Sequence, residues 1–239
     1  MERSAGILLS VSSLPSPYGI GTLGKAAYEF ADFLAAAGQK YWQLLPLGPT
    51  SYGDSPYQSF STFAGNPYFI DLDMLIEDEL LTEEEVTMRD WGSNARAVDY
   101  GKIYESRFEV LAIAKARGWE RDREEVAAFM EENKRWLGDY ALYMACKRHY
   151  GMRPWTEWPD DIRLRKAEAV AEAREEYNAD VELFIYIQFL FFRQWNELKA
   201  YAREKGVLFI GDIPIYVPLD SADVWSEPQF FQLDEENLP

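Results

Sequence analysis

The residues able to do chemistry in this chain gather in three loops, each following a short apolar run. The richest is residues 48–68, GPTSYGDSPYQSFSTFAGNPY. Tyr52 and Tyr57 offer flat apolar faces there, while Asp54, Ser55, Gln58 and Asn66 offer hydrogen bonds. A sugar has the same two-sided character, with apolar C–H faces inside a rim of hydroxyls, so the loop suits a saccharide. Loops of this length are costly to order and are commonly functional. The second feature is Asp212 in GDIPIYV, a carboxylate at the end of an apolar run. In a parallel α/β fold that position faces the mouth of the site, or accepts hydrogen bonds just behind it. The third is residues 12–24, SSLPSPYGIGTLG, in which Gly19, Gly21 and Gly24 have the spacing G-x-G-x-x-G. No acidic residue ends the second strand, and a Pro-containing stretch separates the glycines from the first, so no dinucleotide site is assigned.

Strands and helices must position these loops. Residues 5–11, 40–47 and 207–217 are apolar runs bounded by Gly or Pro, as in a parallel sheet covered on both faces. Between the first two, Ala27, Phe30, Ala31, Leu34 and Ala35 fall on one helical stripe, and Gly38 supplies the stop. Residues 5–47 therefore make a β-loop-α-β unit. Residues 82–205 read as mainly helical. Thr82 and Glu85 form a capping-box signature. Tyr104, Phe108 and Leu111 make one stripe, and Trp136, Tyr140, Tyr143 and Met144 another. Residues 160–179 read as one solvated helix, and residues 181–201 as a long aromatic one ended by Gly206.

Three strands fall short of the eight that close a barrel. The fold class is therefore α/β, a partial (β/α)8 (TIM-type) barrel holding the first three strands, with a large helical insertion. Residues 1–73 are expected to form the first βαβ part with the long loop. Residues 74–205 are the helical insertion and crossover, and residues 206–239 the third strand with its following loop. The last residues, LDEENLP, read as a loop, so the sequence is expected to be the first half of a larger protein.

Composition excludes several classes. Hydrophobic residues make up 48% and charged residues 27%, ordinary for a chain that buries a core. The net charge of −17 argues against nucleic acid and against an anionic membrane surface, since both are held by clustered Lys and Arg. One cysteine, Cys146, leaves no internal disulfide, and with the single histidine, His149, makes no zinc site. His149 reads as a polar residue on a helix face. The apolar run at residues 183–192 is too short to span a bilayer, which needs about 20 residues. The amino-terminal stretch reads as a buried strand rather than a signal peptide, so the expected location is cytoplasmic.

Three segments together closely resemble the amino-terminal half of the 4-alpha-glucanotransferases, the amylomaltase or disproportionating-enzyme family. They are SSLPSPYGIGTLG, YWQLLPLGPTSYGDSPYQSFSTFAGNPYFIDLD, and GDIPIYVPLDSADVW with FFQLDEENLP. SYGDSPYQSFS and GDIPIYV are the most specific parts. The resemblance implies a (β/α)8 barrel with helical inserts and no cofactor. It also implies transfer of an α-1,4-glucan (maltodextrin) segment to glucose or another glucan. The implied mechanism is retaining, with an Asp nucleophile and a Glu acid/base.

Carried over residue by residue, Tyr57 matches the tyrosine that stacks on the sugar at the cleavage point, and Ser55 a serine on the acceptor side. Asp212 matches an aspartate that binds hydroxyls near that ring. Tyr52 and Tyr100 match aromatics of a second glucan site. The family's catalytic carboxylates lie on later strands, so no catalytic residue is assigned here and the chain alone is expected to be inactive. A related alpha-glucan hydrolase and a non-catalytic glucan-binding half-barrel stay open as alternatives.

Overall fold

The computed structural model describes residues 3–51, 53–94, 96–234 and 237. Its strands are β1 (Gly6–Leu8), β2 (Tyr41–Gln43) and β3 (Leu208–Ile210). Its helices are α1 (Lys25–Ala36), α2 (Leu72–Glu77), α3 (Glu83–Thr87), α4 (Tyr100–Arg121), α5 (Arg123–Glu132), α6 (Leu137–His149), α7 (Asp160–Arg163), α8 (Ala167–Glu176), α9 (Asn178–Glu204) and α10 (Ala222–Ser226). Two compact units emerge. The first comprises Met1–Leu47, Gly65–Asp122 and Ile187–Ile213. The second comprises Gly48–Ala64, Arg123–Tyr186 and Pro214–Pro239.

In the first unit, β1, β2 and β3 form a parallel sheet in sequence order. Ile7, Trp42 and Phe209 are in register and share one face. Helices cover that face: Phe30 of α1 packs edge-on against Trp42 at 4.8 Å, and the ring of Trp195 of α9 lies tilted on Phe209 at 4.8 Å. The Trp42 indole N–H donates to the Leu9 carbonyl at 2.8 Å, which removes the cost of burying it. The opposite face carries Leu8, Gln43 and Ile210 in register. Leu8 is 54% and Ile210 43% exposed, so the sheet is covered on one face, not both. No helix among the described residues is long and apolar enough to cross a membrane.

Helix ends follow local rules. α1 closes with Gly38 at φ +70°, where Gly38 N–H donates to Ala35 O and Gln39 N–H to Leu34 O. α9 ends the same way at Gly206, φ +77°, with Val207 N–H donating to Ala202 O. The Thr82–Glu85 capping box opens α3 as its spacing predicts. Two expectations need correction. Residues 160–179 are not one helix: α9 already begins at Asn178, and α7 and α8 are separated where Arg165 turns left-handed at φ +54°. That turn brings its guanidinium over the Trp225 ring at 4.3 Å and onto Asp139 at 2.9 Å. On α4 the buried face carries Ile103, Arg107, Val110, Leu111 and Ala114, so Leu111 is in the core as expected, while Tyr104 is exposed and Phe108 half-buried.

Two buried glutamines of α9 hold the first unit's irregular backbone. Gln188 accepts from Gly65 N–H at 2.7 Å and donates to Gly65 O at 3.0 Å. Gln194 treats Asp71 in the same way, at 2.7 and 3.0 Å. Each side-chain amide satisfies both polar groups of one residue, as a neighbouring strand would. Residue 65 must be Gly, because a Cβ there would lie 2.0 Å from the Phe191 ring. The Gln188→Leu variant strands both groups of Gly65 and should lose about 2–4 kcal/mol in urea unfolding. A loss below about 0.5 kcal/mol would show that the clamp carries no weight.

Candidate glucan-binding site

In the second unit the long loop folds back on itself. Thr50 and Ser59 form an isolated antiparallel bridge, extended by Ser51 N–H to Gln58 O at 2.9 Å. Inside it, Asp54 N–H donates to Ser51 O at 3.2 Å and Gln58 N–H to Ser55 O at 3.1 Å. Gly53 and Asp54 both have positive φ, 81° and 56°, which these residue types tolerate best. Asp54 is thus a turn former. The Ser55 hydroxyl accepts Tyr57 N–H at 3.3 Å and keeps its own hydrogen to donate. Tyr57 sits in this small turn with its side chain 45% exposed.

Serines build the base of the loop. Ser59 donates to Ser61 O at 2.6 Å, and the Ser61 hydroxyl accepts Phe63 N–H at 3.1 Å and Ala64 N–H at 3.3 Å. α10 then fastens the loop. Ala222 N–H donates to Phe60 O at 2.8 Å, and Asp223 takes both Thr62 N–H at 2.9 Å and the Thr62 hydroxyl at 2.8 Å. Burial raises the Asp223 carboxyl above its ordinary range, and the two Thr62 bonds oppose that rise.

Just before α10, Asp220 ties three segments together. It accepts the Tyr143 hydroxyl at 2.7 Å, the Lys147 ammonium at 2.6 Å and Trp155 N–H at 3.2 Å. Lys147, fully buried, also donates to Met152 O at 2.9 Å and Arg153 O at 3.0 Å. Burial lowers its pKa and the Asp220 bond opposes this. Sequence reasoning missed the pair. Asp220 stands inside the PLDSADVW motif, but nothing in the local run KRH marks Lys147 as its partner.

In the first unit, Asp212 lies two residues past β3, exposed, and its carboxylate accepts the Ile213 N–H at 2.8 Å. Tyr100 is the first residue of α4, after the Asp99 cap, and its ring lies 6.1 Å from that of Tyr68. Asn66, expected to meet a ligand, is instead buried and accepts Tyr68 N–H at 3.0 Å to cap a short turn. Tyr52 lies outside the described residues. Cys146 and His149 belong to α6 packing. Cys146 is buried, which pushes its thiol up to about 12, and His149 stacks on Tyr177 at 4.3 Å.

A family model described as 4-alpha-glucanotransferase matches residues 9–237. A 4-alpha-glucanotransferase of Clostridium butyricum is 50% identical over 230 residues, which cover 96% of this chain and 47% of that relative. One from Thermus thermophilus is 48% identical over 243 residues, covering 100% of this chain and 48% of that relative. The solved amylomaltase from Streptococcus agalactiae, in complex with acarbose, is similar at a TM-score of 0.97 and 41% identity, covering 100% of this chain and 48% of that one. The chain spans about half the length of the curated relatives it matches.

The Asp220–Lys147 tie has a measurable consequence. Replacing Asp220 by Ala leaves a buried ammonium without its carboxylate and should cost about 3–5 kcal/mol in urea unfolding. A cost below about 1 kcal/mol would contradict the tie.

Proposed function

Because the chain belongs to the 4-alpha-glucanotransferase family, we propose that it forms the glucan-binding side of such an enzyme. The whole protein would move a segment of an α-1,4-glucan to the 4-position of glucose or another glucan. The observation that carries the reading is Tyr57. Tyr57 is 45% exposed, and its N–H is held by the Ser55 hydroxyl within the SPYQ motif.

Tyr57 would stack on the sugar at the cleavage point and Ser55 would meet the acceptor. Asp212, past the carboxyl end of β3, would bind hydroxyls near that ring. Tyr52 and Tyr100 would serve a second glucan site. An occupant of this kind agrees with the acarbose in the Streptococcus agalactiae relative.

The parallel sheet fits the start of a (β/α)8 barrel. Its bare face, with Leu8, Leu208 and Ile210 exposed, would become the barrel interior once further strands pair with it. Residues 1–73 and 206–239 would supply barrel and loops, and residues 74–205 the helical insertion. The retaining chemistry needs two carboxylates about 5–5.5 Å apart at the scissile bond. In this reading the other half of the protein contributes both, and this chain orders the glucan against them.

Incubation with maltotriose, followed by chromatography, tests the reading. The chain alone should give no products. The chain joined to the remaining half should give glucose together with longer maltodextrins. A ladder from the chain alone would overturn the division of labour. Glucose and maltose alone from the joined protein would point to a hydrolase.

A further inference from the structure

A second concave surface lies in the helical unit, outside the set of residues assigned above. It is a cavity of about 500 Å³, within the range of small-molecule sites, about 300–1,000 Å³. Phe63, Trp136, Tyr140, Asp223, Glu227 and Phe230 are among the residues that line it. Phe63 and Trp136 are nearly parallel, at 19° and 6.2 Å between centroids. Phe63 is 58% and Phe230 78% exposed, a large apolar cost unless something covers them.

Polar residues line the same space. Both Asp223 oxygens already hold Thr62, which fixes the carboxylate in place. The Glu227 carboxylate is steadied by the Gln229 amide. Tyr140 is 1% exposed, and its hydroxyl finds no hydrogen-bond partner among the described residues. A buried hydroxyl left so is costly, and native structures usually answer it with water or a ligand.

We propose that this cavity is a saccharide subsite that takes a neutral α-linked oligosaccharide, with Phe63 and Phe230 against the C–H faces of its rings. The proposal rests on the glucan reading above. Charge narrows the ligand class. Among the described residues Glu132, Asp223 and Glu227 line the cavity with Arg135, so phosphates and other anions are disfavoured. A neutral polyol suffers no such repulsion, and its hydroxyls can donate to fixed carboxylates and accept from Arg135. Thr62 and Asp223 join the floor of this cavity to the base of the Tyr57 loop, so a glucan held here would lie along the same binding loop.

Hydrogen exchange of the chain with and without maltotetraose locates the site, and calorimetry measures its strength. Maltotetraose should protect peptides covering residues 58–66, 128–142 and 220–233. Phe63→Ala and Phe230→Ala, both at exposed positions, should fold normally by circular dichroism. Each should weaken maltotetraose binding about fivefold, as expected when one aromatic face is lost. Protection confined to residues 48–58, with unchanged affinity in both variants, would overturn the subsite and leave the glucan reading intact. No maltotetraose binding at all would overturn both. Spermidine binding in place of the sugar would overturn the ligand class.

Discussion

Backbone polar groups taken out of water must find partners, and irregular segments cannot find them in a helix or a ladder. This chain meets that constraint with buried side chains drawn from distant helices. Gln188 and Gln194 of α9 each close both polar groups of one residue, Gly65 and Asp71. Asp71 is also fixed from the other side, by the Thr22 hydroxyl at 2.6 Å. In the second unit, Lys147 takes two carbonyls and the Asp220 carboxylate. The irregular backbone at Gly65, Asp71, Met152 and Arg153 is satisfied by these contacts.

A fixed loop has a functional consequence. Ordering a flexible loop on binding subtracts from affinity, so a loop already held in shape keeps more of what its contacts give. The serine network at its base and the Asp223–Thr62 pair leave Tyr57 and Phe63 as exposed aromatic rings on an ordered backbone. Such rings suit sugars, since they cover C–H faces without requiring one hydroxyl pattern.

Features governed by near neighbours in sequence were legible without the structure. The three strands, the α1 stripe with its Gly38 stop and the Thr82–Glu85 box all follow from local spacing. So does the loop that presents Tyr57. Features governed by distant partners were not. Nothing in its own segment marks Lys147 as buried, and its partner Asp220 lies far along the chain. Asn66 looks like a ligand contact and is a buried cap. The break at Arg165 depends on Asp139 and Trp225, neither of which its own segment foretells. Apolar runs also overstate strand length, since pairing in this sheet covers three residues per strand.

In the function proposed above, this chain holds a glucan through the loop after β2. A crystal structure of the chain soaked with maltotetraose tests it most directly. The claim predicts a sugar ring stacked on Tyr57, with a hydroxyl in reach of Ser55. Sugar density that leaves Tyr57 bare, or a Tyr57→Ala crystal with the same occupancy at that loop, would contradict it.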